Sequence, residues 1–147
     1  MSEPSSNLSR SFPAEPGTPA MARHAVRAFL AARGIEQRAL ADVLLAVSEV
    51  VTNCVVHAYR DATKGRVAME AQHNGDTLLL SVADEGSGMA PRHDSPGLGL
   101  GLPLVGRIAE RVDIIAPAGG GTQVRMRFAV GRGTGDDPGG RAARRRA

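Results

Sequence analysis

Glu49 and Asn53 stand four residues apart in the stretch SEVVTNCVVHAY, Ser48 to Tyr59, and in a helix that spacing stacks them on one face. An asparagine side-chain oxygen suits Mg²⁺, a hard cation that also takes phosphate oxygens and water. A glutamate one turn earlier can accept the proton of a hydroxyl or water attacking a γ-phosphate. Farther on, ADEGSGM carries Asp84 out of a strand straight into Gly86 and Gly88. Leu78, Leu80 and Val82 form one row of that strand and Asp84 continues it. An acid at the end of a core-facing row is costly unless a donor satisfies it. The amino group of a bound base is such a donor, and glycines would let a flat ring lie against the backbone. In PGLGLGLPLV, Gly97, Gly99 and Gly101 alternate just before a helix, where free backbone N–H groups suit phosphate oxygens.

Each signal by itself has a plainer reading. Glu49 and Asn53 fit a solvated helix face, Asp84 fits a cap on the following turn, and the glycines fit a simple connection. No Lys-Ser/Thr pair follows the glycines, which departs from the Walker pattern. No βαβ unit frames them, which disfavours a dinucleotide fold. Taken together and in this order, the three stretches describe one nucleotide site. Met89 to Gly97, with Pro91 and Pro96, is long enough to act as a movable lid over it.

These residues need elements to hold them. Residues 1–7 read as a disordered N-terminus, 8–131 as one domain and 132–147 as a disordered basic tail, with a short edge strand at Leu8 to Phe12. TPAMARHAVRAFLAARG reads as a helix with Thr18 as N-cap, Pro19 in the first turn and Gly34 as C-cap. Val26, Phe29 and Leu30 give it helical spacing, and His24 stands apart from any constellation. A second helix runs from about Glu36 to Ala58, with a stripe of Leu40, Val43, Leu44, Val47, Val50, Val51, Cys54, Val55 and Ala58. Asp42, Glu49 and Asn53 project elsewhere at 100° per residue, with Leu45 and Val56, as the wall of a cleft.

GRVAMEAQHNGDTLLLSVADEGSG reads as a hairpin turning at Asn74-Gly75, with Val67, Met69 and Ala71 alternating against polar neighbours. LGLPLVGRIAERV reads as a third helix that turns Leu104, Val105, Ile108 and Val112 to the core. A last hairpin closes the domain, with Val124, Met126, Phe128 and Val130 inward and Gln123, Arg125 and Arg127 in water. That alternation belongs to a sheet covered on one side. The expected fold is therefore α+β, a two-layer sandwich with helices on one face of a mixed, mostly antiparallel sheet.

Composition narrows the classes. The 147 residues contain 42% hydrophobic but only 3% aromatic residues and no Trp, so the core is aliphatic and an aromatic platform for nucleic acid is disfavoured. A single cysteine, Cys54, excludes an internal disulfide and a cysteine zinc site. No unbroken apolar run approaches the ~18 residues that span a bilayer, and the N-terminus lacks the apolar core of a secretory signal; a cytoplasmic protein with no membrane contact is expected. Removing Arg141, Arg144, Arg145 and Arg146 from the net charge of +3 leaves −1. The basic character therefore belongs to the tail and not to the folded body.

SEVVTNCVVHAY, DEGSG and GLGLGL, followed by GGGTQVRMRF, resemble the N, G1, G2 and terminal boxes of the GHKL ATPase superfamily. Within it, the chain is most similar to the anti-sigma factor serine/threonine kinases, small proteins of the Bergerat fold. The resemblance covers roughly Phe12 to Val130. It implies ATP and Mg²⁺ as cofactors, Glu49 as catalytic base and Asn53 as metal ligand. Asp84 would receive the adenine amino group, in a pocket shaped by Gly86, Gly88 and Met89. Gly97, Leu98, Gly99, Leu100 and Gly101 would form the lid and phosphate loop, and Thr122 would close the adenine site. His57 falls in the N box and fits either a structural edge residue or a nucleotide contact. Arg92 is the exposed lid residue best suited to touch a partner.

The implied activity is transfer of the ATP γ-phosphate to a serine or threonine of an anti-anti-sigma (STAS-type) protein, by a homodimer that also sequesters a sigma factor and has no direct contact with nucleic acid. A binding module that ATP merely switches, with little turnover, is the alternative. A histidine-kinase catalytic domain would need a phospho-accepting histidine on a helical hairpin before the ATP site. A topoisomerase-type ATPase would need a further domain. Neither is expected from the 147 residues.

Overall fold

The computed structural model describes residues 6–60, 65–84, 102–116 and 121–131. Gly86, Gly88, Met89, Arg92, Gly97, Leu98, Gly99, Leu100 and Gly101, named above for the nucleotide site and its lid, and the basic tail lie outside these residues.

Five strands and three helices follow in the order β1 (Asn7–Pro13), α1 (Thr18–Ala31), α2 (Gln37–Arg60), β2 (Arg66–Asn74), β3 (Thr77–Asp84), α3 (Leu102–Ile108), β4 (Arg111–Ile115) and β5 (Gln123–Ala129). The strands form one sheet in the order β1-β2-β3-β5-β4, and every pairing among the described residues is antiparallel. Leu8 and Phe12 point inward from β1, Val67, Met69 and Ala71 from β2, and Leu78, Leu80 and Val82 from β3. Val124, Met126 and Phe128 complete the layer from β5. The helices cover this face with Val26 and Leu30 of α1, Val43, Val47, Val50, Val51 and Cys54 of α2, and Val105 of α3. The fold is the expected two-layer α+β sandwich.

By length and composition α2 could cross a membrane over Gln37–His57, where its mean hydropathy is 1.8. Its apolar stripe instead lies on the sheet, and this is the core helix of the fold. Leu45 and Val56 remain 41% and 39% exposed, on the face that also carries Glu49.

Four local expectations change. Gly17, not Thr18, is the N-cap of α1. Thr18 is fully buried, and its hydroxyl donates to the Pro13 carbonyl and accepts from the Glu15 N–H, so it ties the helix to the end of β1. At the other end Ala32 is the C-cap. Gly34 lies two residues beyond with φ +66° and turns the chain toward buried Ile35.

The hairpin turns on Gly75-Asp76, because Asn74 still pairs with Thr77. This register keeps the same apolar rows, and it lets the Val130 N–H reach the Asp76 carbonyl at 2.7 Å. Gly75, at φ +57°, supplies the left-handed conformation that the turn needs.

Val112 belongs to β4, opposite Met126, and not to the third helix. The Ala109 N–H still bonds the Val105 carbonyl at 2.9 Å, but the Glu110 N–H turns to the Arg127 carbonyl at 2.8 Å. Sheet pairing therefore ends the helical run.

Candidate functional site

Helix periodicity fixes one wall of the site. Glu49, Asn53 and His57 follow at intervals of four on α2, each step rising about 6 Å along the axis. All three side chains are half-buried, beside the buried Val50 and Cys54. They are thus neither core nor free surface.

The opposite wall comes from the sheet. Asp84 ends β3 and continues the inward row of Leu78, Leu80 and Val82. Its backbone N–H donates to the Thr122 carbonyl at 2.9 Å, one step past the last β3–β5 pair, Ala83 with Gln123. Gly121, at φ +83°, holds the conformation that presents this carbonyl. Asp84 and Thr122, predicted as two parts of an adenine site, are therefore joined by the backbone.

Electrostatics joins the walls. Burial is the main cause that pushes the Cys54 thiol up to about 12, and the negative charge of Asp84 adds to it. Asp84 therefore acts on the helix at Cys54, the residue next to Asn53. Glu49 lies five residues earlier, about 7 Å back along α2. Along α2, Asn53 thus lies level with the part of the helix that Asp84 influences, and Glu49 one turn farther back.

Thr122 is only 5% exposed, and its Oγ1 is buried without a hydrogen-bond partner among the described residues. Buried hydroxyls in native folds nearly always have a partner. This oxygen, on the residue whose carbonyl binds the Asp84 N–H, thus fits a ligand that brings polar atoms of its own, as an adenine base does. Asn53 offers the neutral oxygen that Mg²⁺ accepts among phosphates and water, so the donor set also fits that ion.

Two contributors were invisible in the sequence. Cys54 was placed in the apolar stripe, where it lies, but its thiol also forms part of the surroundings of Asp84. Ser48, immediately before Glu49, accepts a hydrogen bond from Arg23 Nη1 of α1 at 3.1 Å. Those two residues are 25 positions apart, and no local pattern links them. His24 is exposed on α1.

The profile of the histidine kinase-like ATPase domain matches residues 12–128. An anti-sigma F factor of Clostridium beijerinckii is 32% identical over 128 residues, which is 80% of this chain and 90% of that protein. One from a Thermoanaerobacter species is 31% identical over 121 residues, 75% of this chain and 84% of that protein. Among solved structures, that of the RsbU and RsbW domains of Rv1364c from Mycobacterium tuberculosis superposes with a TM-score of 0.68 at 26% identity. The match takes in 87% of this chain and 34% of that longer one. The chain belongs to the histidine kinase-like ATPase family, in the branch it shares with the anti-sigma factors.

Proposed function

We propose that this chain is an ATP-dependent serine/threonine protein kinase of the anti-sigma type. It phosphorylates an anti-anti-sigma, STAS-type partner and, in the alternate complex, sequesters a sigma factor in the cytoplasm. The observation that supports the proposal is the backbone bond of Asp84 to Thr122 together with the influence of Asp84 on Cys54, on the helix that also carries Asn53 and Glu49.

In this reading the Asp84 carboxylate accepts a hydrogen bond from the adenine amino group, and Thr122 Oγ1 supplies a second polar contact. The Asn53 side-chain oxygen would hold Mg²⁺. When bound, that ion neutralises charge on the phosphate oxygens. Glu49 takes the proton of the acceptor hydroxyl as the hydroxyl oxygen bonds to the γ-phosphorus. The bond from that phosphorus to its bridging oxygen breaks, and ADP leaves with the electron pair. On sequence grounds Gly86 and Gly88 are assigned to the adenine pocket, and Gly97, Gly99 and Gly101 to the phosphate loop and lid.

A homodimer forms part of the proposal. The sheet face not covered by helices carries Glu70, Ser81 and Arg125 side by side on neighbouring strands, and its mixed charge suits a second copy of the chain. Sedimentation velocity reads that state.

The test is phosphate transfer from γ-labelled ATP, with Mg²⁺, to small regulatory domains of the same genome, by the wild type and Glu49→Gln. Label on a partner serine or threonine, lost in the variant, is expected. Transfer by Glu49→Gln at the wild-type rate would overturn the base assignment. Tight ATP binding with no transfer to any partner would favour the nucleotide-switched binding module.

A further inference from the structure

Among the described residues five large apolar side chains stay exposed, Met21, Leu45, Val56, Leu79 and Ile114, and two of them stand on either side of Glu49 along α2. Leu45 is 41% exposed and Val56 39%, with Thr52 exposed between them. At about 100° per residue these three positions fall within about 40° of one another and form the crest of the helix. The core stripe of Val43, Val47 and Cys54 lies on the opposite side, so packing on the sheet does not account for the crest. Apolar side chains gathered on an outward face mark a surface that another molecule covers.

The flanks of α2 decide what that molecule is. α2 packs against both α1 and α3, which do not pack against each other among the described residues. On the α1 side Ser48 is bonded to Arg23 at 3.1 Å, so that flank is filled. Asn53 lies on the other side of the crest, about 40° past Glu49. There α3 follows directly on Gly101, the last of the glycines assigned to the phosphates. The nucleotide therefore belongs to the Asn53 flank. Glu49 stands between that flank and the crest, half-buried. A hydroxyl that gives its proton to Glu49 and attacks the γ-phosphorus in line with the leaving oxygen thus arrives from the crest.

We propose that the crest of α2 is the docking surface for the protein that accepts the phosphate, with Leu45 and Val56 as its specificity-determining contacts. Glu49 lies about 6 Å along the helix axis from Leu45 and about 10 Å from Val56. The matching acceptor carries its serine or threonine on an exposed surface, with apolar side chains at about those two distances on either side of the hydroxyl. A protein with charged groups there would have to desolvate them against Leu45 and Val56 without a partner, and is rejected. The inference rests on the reading of Glu49 as the base of a protein kinase and deepens it by naming what is recognised around the hydroxyl.

The test is label transfer from γ-labelled ATP to the small regulatory domains of the same genome, by the wild type, Leu45→Ser, Val56→Ser, the double variant and Met21→Ser. Met21 is also exposed but lies about 200° around α1 from Arg23, away from α2, and serves as control. KM for the acceptor domain is expected to rise about tenfold or more in the double variant and about threefold in each single one. ATP affinity by calorimetry, and the transfer rate at saturating acceptor, should change less than about twofold. Alanine in place of the apolar residues around the labelled serine or threonine should raise KM for the wild type and add little in the double variant, as it does for groups that touch. An unchanged acceptor KM, an equal rise in Met21→Ser, or an equal loss of ATP affinity overturns the proposal. If the serine variants do not fold, Leu45→Gln and Val56→Thr, closer in size, decide by the same KM. Transfer by the double variant at wild-type KM removes the crest and leaves the kinase standing. If no domain takes label from the wild type, the kinase reading falls and the inference with it.

Discussion

Arg23 Nη1 of α1 donates to Ser48 Oγ of α2 at 3.1 Å, and the same hydroxyl donates to the Leu44 carbonyl at 2.8 Å. Ser48 immediately precedes Glu49, so a link between the two helices fixes the turn of α2 that carries the proposed base. A mid-helix serine bonded to the carbonyl four residues back is mildly unfavourable by itself. Here the hydroxyl gains a second partner from a neighbouring helix.

Ser48→Ala removes both bonds. It is expected to cost about 1 kcal/mol of stability, seen as a fall in melting temperature of about 3 °C for a chain of this size. Circular dichroism melts check this. ADP affinity, assigned to Asp84 and Thr122, should stay unchanged.

Asp84→Asn replaces the acceptor of the adenine amino group by an amide that faces it partly as a donor. Loss of a charge-assisted bond weakens ADP binding by about 10- to 100-fold. GTP binding serves as the control, since a guanine presents a carbonyl where adenine presents the amine. A variant that binds ADP as the wild type does would remove Asp84 from the site.

Asn53→Ala keeps the helix, because alanine is the best helix former, and deletes the proposed ligand of Mg²⁺. The wild type should bind ATP more tightly with Mg²⁺ than with EDTA, and the variant should bind it equally in both. Calorimetry in the two buffers reads the difference. A Mg²⁺ effect that survives in Asn53→Ala places the ion elsewhere.

Cys54 predicts the behaviour at alkaline pH. Its thiol moves from 9.0 to about 12 in the folded chain, first through burial and then through the charge of Asp84. A pKa raised by folding means that the folded state favours the protonated thiol. The corresponding stability is complete below pH 9 and declines as pH rises from about 9 to 12. Thiol reagents at pH 8 should therefore react only on unfolding, at a rate that rises with denaturant. Prompt alkylation of the native protein would contradict the burial. In Cys54→Ser the loss of stability between pH 9 and 12 should be smaller.

The order of the elements was legible in residue patterns. The α2 stripe from Leu40 to Val55 and the alternation of Val124, Met126 and Phe128 report which face is dry, and helix and strand periods convert that into elements. Glu49 and Asn53 were legible for the same reason, since a spacing of four is a contact in any helix. Boundaries were less so. Thr18 looks like a cap by type, yet its hydroxyl is bound to Pro13 and Glu15. The third helix looks continuous to Val112 until β5 offers the Glu110 N–H a carbonyl.

The amino-acid sequence by itself determined the layer architecture, the helix face that carries Glu49 and Asn53, and the row in which Asp84 ends. Each follows from a local repeat of hydrophobicity. Only the tertiary structure decided that Asp84 is bonded to Thr122 and influences Cys54, that Arg23 steadies Ser48, and that polar atoms of His57 and Thr122 are buried without partners among the described residues. Those facts depend on which distant segments meet when the helices pack on the sheet, and no interval along the chain records that.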